Sequence, residues 1–157
     1  MTHAQIAHEC GHATVAKQLG YGASVSNFDE LPKTHFDPPI WEMRHGLDLN
    51  APAGPGVSRM PRKHRLLIWA AGRAAMELMG AENPCDGFAD DRSNMVALGC
   101  SEEEIGSRVQ KAKAIIRANH SRWLAMRHLL HQRDGLGEQQ GLSRDEIDEI
   151  WRQVDPG

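Results

Sequence analysis

Thr2-His3-Ala4-Gln5-Ile6-Ala7-His8-Glu9-Cys10-Gly11-His12-Ala13 lies at the start of the chain, and its spacing is helical. Thr2 and Gln5 stand three apart in the form of a capping box, where the hydroxyl serves one free amide and the longer side chain reaches back. Ile6, Ala7, Cys10, Ala13, Ala16 and Leu19 recur at helical intervals, and Gly20 and Gly22 end the run. Inside this helix, His8-Glu9-Cys10-Gly11-His12 is an H-E-x-x-H sequence. Residues four apart are neighbours on a helix surface, so both imidazoles can face one metal ion. Zinc takes imidazole nitrogen at about 2.0–2.1 Å, and a catalytic site needs a third protein ligand and one open position. Glu9 falls at the edge of the same face, outside the ligand set, where a carboxylate can act as general base. Cys10 is turned away from both histidines and is expected to be buried, not a ligand.

Spacing leaves the third ligand open. Asp91, Asp90, Asp86, Glu77 and Glu82 are candidates, as are the more distant His120, His128 and His131. The three histidines fall among charged residues and read first as solvated surface. No third histidine follows His12 at metzincin spacing, because the next residues are Ala13-Thr14-Val15-Ala16-Lys17-Gln18.

Beyond this helix, residues 23–60 have weak periodicity, and six of the eight prolines lie from Pro32 to Pro61. Short strands at 23–28 and 39–43, in a small antiparallel sheet or hairpin with long loops, are the expectation. Such a loop-rich stretch often edges a substrate site, and Trp41 stands in it. Residues 61–79 read as a helix with Pro61 in its first turn and Leu67, Ala71, Ala74, Ala75 and Leu78 facing inward. Its small residues, 70–75, would let another helix approach closely. A further helix starts near Asp90 and Asp91, whose charges suit its positive end. Ser101 with Glu104, and Ser143 with Glu146, have the form of capping boxes for two more helices. The first either continues or breaks briefly near Asn119 on its way into 123–131, and Gly135-Leu136-Gly137 reads as a linker. Trp69, Trp123 and Trp151 lie in helical stripes and read as core.

The fold class is therefore mainly α (α+β), in one domain spanning 1–157, with a small β-hairpin or sheet in residues 23–60. A length of 157 residues, 40% hydrophobic and 25% charged, fits one globular domain and excludes intrinsic disorder. No apolar run approaches the roughly 18 residues of a membrane span. With 18 Lys and Arg against 21 Asp and Glu, the chain lacks the basic excess of a nucleic-acid binder. Cys10, Cys85 and Cys100 form no CxxC pair, and no secretory signal is visible, so a reducing, cytoplasmic setting is expected.

The order of motifs resembles the FtsH-type zinc peptidase family. His8-Glu9-Cys10-Gly11-His12-Ala13 resembles its HEAGHA signature, with cysteine where alanine is common. Ala71-Gly72-Arg73-Ala74-Ala75-Met76-Glu77-Leu78 is similar to its GGRAAEEL helix, with Met76 in place of the first glutamate. Gly87-Phe88-Ala89-Asp90-Asp91 is similar to its G-A-x-x-D segment, which implies Asp91 as third zinc ligand. The sequence has no G-x-x-x-x-G-K-[ST] run, so the resemblance is to the peptidase domain without its ATPase module.

The resemblance implies a helical zincin-like domain that binds Zn2+ through His8, His12 and Asp91, with Glu9 as catalytic base. The expected activity is ATP-independent endopeptidase cleavage of unfolded or flexible polypeptides. A separate unfoldase or adaptor is a further partner on this reading, nucleic acid and membrane are not, and oligomeric state stays open. Two other functions share these residues: a metal-binding regulatory or interaction module without turnover, and an H-E-x-x-H peptidase of another clan with Glu77 as third ligand. Glu9 favours an enzyme, because a purely structural site needs no base.

Overall fold

A computed structural model describes residues 1–28, 31–40, 60–85, 87–135 and 141–157. Its elements are α1 (His3–Gln18), β1 (Gly22–Phe28), β2 (Leu31–Asp37), α2 (Arg62–Leu78), α3 (Ala89–Ala97), α4 (Glu102–Ala118), α5 (His120–Gly135) and α6 (Arg144–Gln153). The mainly helical α+β class is observed. Trp41 and Asp86 lie outside the described residues.

α1 begins with the capping box: the Gln5 amide donates to Thr2 Oγ1 at 3.1 Å, and the Thr2 amide donates to Gln5 Oε1 at 2.9 Å. Between Ile6 and Ala16 every residue is buried except the half-buried Glu9. The single inner stripe read from the sequence is therefore too narrow. α2, α4, α5 and both strands pack against α1, so it is a central helix buried nearly all round. α2 comes nearest. A Cβ built on Gly11 would stand 2.6 Å from Ala75 Cβ and 2.8 Å from the Ala71 carbonyl oxygen. On another side, Trp123 of α5 is buried, and its indole Nε1 donates to the Ala7 carbonyl of α1 at 3.3 Å. Fully buried Ile6, Leu66, Ile68, Ile105, Ile116, Met126 and Leu130 fill the shared core, each contributing on the order of 1.5–3 kcal/mol.

The sheet differs from expectation in its second strand, which occupies Leu31–Asp37 rather than 39–43. Residues 39 and 40 are not strand, and 41–43 lie outside the described residues. β2 alternates properly, with Pro32, Thr34 and Phe36 inward and Lys33, His35 and Asp37 exposed. Only one inward residue is strongly apolar, so the period-2 signal is faint. β1 and β2 pair antiparallel, from Gly22 opposite Asp37 to Phe28 opposite Leu31. On the other side of β1, Val25 and Leu142 exchange backbone hydrogen bonds of 2.9 and 2.8 Å. Among the described residues, the outer edge of β2 carries no third strand.

Pro61 stands at the N-cap of α2, one residue before the helix, and α2 buries Ala70, Ala71, Gly72, Ala74, Ala75 and Met76 together. The Ser101 box forms by half. Ser101 Oγ accepts from the Glu104 amide at 3.1 Å, but the Glu104 carboxylate pairs with Arg62 of α2 at 3.0 Å instead of reaching back. Asn119 marks the break between α4 and α5, and its amide nitrogen donates to Ile115 O at 3.0 Å and Gln18 Oε1 at 3.1 Å. The Ser143–Glu146 box of α6 is complete. No helix among the described residues is long and apolar enough to cross a membrane.

Candidate metal centre

One turn of α1 separates His8 from His12, and their Nε2 atoms are 3.1 Å apart. Asp91 sits in the first turn of α3, where the free amide ends favour a carboxylate. Its Oδ2 lies 3.4 Å from His8 Nε2 and 3.2 Å from His12 Nε2. A tetrahedral zinc with bonds of about 2.0–2.1 Å spaces neighbouring donors about 3.3–3.4 Å apart, close to all three separations. Both imidazoles are buried, at 7% and 6% exposure. Two neutral imidazoles and one carboxylate suit zinc, so the residues fit the ion.

α2 aligns both rings from successive turns. His12 Nδ1 donates to the Ile68 carbonyl at 2.6 Å, which fixes the ring orientation with Nε2 toward the cluster. Four residues on, Gly72 makes room for His8, since a Cβ there would stand 2.3 Å from the ring's Cε1. After four more, Met76 Sδ lies 3.4 Å from His8 Nδ1. The helix read as a close-packing surface is also the support of the histidine pair.

β2 supplies the contact to Glu9. The Thr34 hydroxyl lies within hydrogen-bond reach of Glu9 Oε2 and 3.1 Å from the Glu9 carbonyl oxygen. Phe36, two residues along the same strand face, stands edge-on to His12 with ring centres 6.4 Å apart.

Charge in the cluster is strongly coupled. Burial works against an imidazolium at His12, but the Asp91 carboxylate overrides it and holds the His12 pKa up at about 9, with Glu9 and the Ile68 carbonyl adding. Burial likewise works against charge on Asp91, and His12 together with His8 holds its pKa down at about 2. Burial pushes the Cys10 thiol far up, so it stays protonated; it is buried and outside the cluster.

Among the described residues, His8, His12 and Asp91 are the group of histidine, cysteine and acidic side chains close enough to share a metal. Glu77 is directed elsewhere, with Oε2 3.9 Å from Arg73 Nε and 3.9 Å from Lys113 Nζ. Glu82, Asp90, His120 and His128 are exposed and outside the group. His131 Nε2 meets His3 Nδ1 at 2.8 Å, away from the cluster. Thr34, the Ile68 carbonyl, Gly72 and Met76 are contacts that the sequence reading did not anticipate. A glycine inside a helical pattern was the available signal for Gly72. Met76 signalled itself only as a departure from the resembling motif. No protein-family model matches the chain, and no curated protein matches it.

Proposed function

We propose that this protein is a zinc-dependent metalloendopeptidase that hydrolyses unfolded or flexible polypeptides without ATP. The observation that carries this reading is the triangle of His8, His12 and Asp91, with Glu9 next to His8 on α1 and its carboxylate held by Thr34. Two imidazoles and one carboxylate leave a tetrahedral site one open position, as catalytic zinc requires. Bound there, zinc supplies a Lewis acid and lowers the pKa of water from 15.7 to about 7. The chain's own residues do the rest. Ile68 and Met76 take the Nδ1 hydrogens, so both Nε2 lone pairs serve the site. Thr34 engages Glu9 Oε2, and Glu9 Oε1 accepts the proton of the attacking water and delivers it to the leaving amine nitrogen.

On this reading an extended substrate would pair along the outer edge of β2, the strand that carries Thr34 and Phe36. Such an edge reads backbone, which suits unfolded or flexible chains. Folded substrates would then depend on a separate unfoldase or adaptor. The test is cleavage of an unfolded casein-type substrate by the zinc-loaded protein. Glu9→Gln should keep its zinc and cut roughly 10²–10⁴-fold more slowly. Cleavage at the wild-type rate in that variant contradicts the proposal. A zinc-loaded wild type that cuts nothing would favour the regulatory module.

A further inference from the structure

The two histidines are supported unequally from α2. His12 Nδ1 donates to a backbone carbonyl oxygen at 2.6 Å, whereas His8 Nδ1 meets the thioether sulfur of Met76 at 3.4 Å. A carbonyl oxygen is a full acceptor, while thioether sulfur is a weak one. The acceptor behind a ligating imidazole holds its tautomer and raises the basicity of the nitrogen that binds metal. Met76 is 3% exposed and His8 7%, so little water reaches this contact to substitute for the sulfur. The ring cannot turn easily toward another partner. A Cβ at Gly72 would lie between 2.3 and 2.7 Å from three of its atoms, so the ring lies flush against the α2 backbone.

We propose that Met76 is a positioning residue of the metal site, which holds His8 in the ligating tautomer while withholding the polarisation an oxygen acceptor would give. It thereby sets zinc affinity below the level that His8, His12 and Asp91 can reach. The proposal rests on reading these three as the ligands. Met76 also fills core volume, so the test must separate an acceptor from a space-filler. Leucine keeps the bulk and removes the acceptor; glutamine keeps the length and supplies a carbonyl oxygen.

Zinc dissociation constants would be measured by competition with a chromophoric chelator for wild type, Met76→Leu and Met76→Gln. Circular dichroism and thermal melting of the metal-free proteins check that each is folded. Met76→Leu should bind zinc about 3–10-fold more weakly, and Met76→Gln about tenfold more tightly or better. In the zinc-loaded proteins the His8 Nδ1 proton, followed by NMR, should exchange faster in Met76→Leu and no faster in Met76→Gln. Wild-type affinity and wild-type exchange in a folded Met76→Leu overturn the proposal and make Met76 packing alone. So does a folded Met76→Gln that binds zinc no more tightly than wild type. A wild type that takes up no zinc removes the ligand reading itself, a failure distinct from these.

Discussion

The Thr34 hydroxyl carries one hydrogen, and two oxygens of Glu9 lie within its reach, the carboxylate Oε2 and the carbonyl at 3.1 Å. The carboxylate is the nearer and the charged acceptor, so it takes the stronger bond. A hydrogen bond to a charged group contributes about 1.5–3 kcal/mol, which corresponds to roughly 10–100-fold in a rate that depends on it. Thr34→Val should therefore lower kcat by that factor with zinc content unchanged, and Thr34→Ser should recover most of it. Steady-state kinetics on an unfolded substrate, paired with metal analysis, checks this. Wild-type kcat in Thr34→Val would remove Thr34 from the mechanism. The same residue explains why β2 was hard to see: an inward threonine stands where an apolar side chain would have marked the strand.

At the scale of elements, the site depends on how closely α1 and α2 approach. The atoms facing Gly11 are Ala75 Cβ and the Ala71 carbonyl oxygen, neither of which can swing aside. Gly11→Ala must push the helices apart, a cost of about 1–3 kcal/mol, offset by up to about 1 kcal/mol of helix propensity. A net loss of about 1–2 kcal/mol in urea unfolding is expected, with weaker zinc binding as Ile68 and Met76 withdraw from the histidines. Unchanged stability would contradict the close packing. α1 was legible because three local signals agree: the capping box, the apolar spacing and the histidines one turn apart. Spacing could not bring Asp91 to them, since 78 residues lie between it and His12; only the resemblance singled it out. The contacts from α2 were hidden because one is a backbone carbonyl, one a missing side chain and one a thioether. The Ser101 box was half wrong because Arg62, distant in sequence, takes the Glu104 carboxylate.

For the whole molecule, the proposed zinc site implies that the His12–Asp91 pair would couple metal binding to pH. His12 titrates at about 9 in the metal-free folded chain, against about 6.5 when unfolded. The stability it provides is fully present below about pH 6.5 and is lost as pH rises through 9. Asp91, held at about 2 against about 3.9 unfolded, gives stability present above about pH 4 and lost as pH falls through 2. These are two views of one ion pair. Zinc requires neutral His12, so its binding below pH 9 should release about one proton from that residue. Its affinity should climb by about tenfold per pH unit between 6.5 and 8.5. Calorimetry in buffers of different ionisation enthalpy counts the proton, and thermal melts should show a zinc-induced gain that grows with pH. An affinity that is flat across this range would contradict the coupling.

Zinc content per chain, determined by elemental analysis on wild type, Asp91→Ala and Glu77→Ala prepared without a histidine tag, decides whether His8, His12 and Asp91 hold the ion. About one zinc per chain is expected in wild type and Glu77→Ala after zinc supply and desalting, and little in Asp91→Ala. Full occupancy in Asp91→Ala, or a wild type that takes up none, would contradict that assignment.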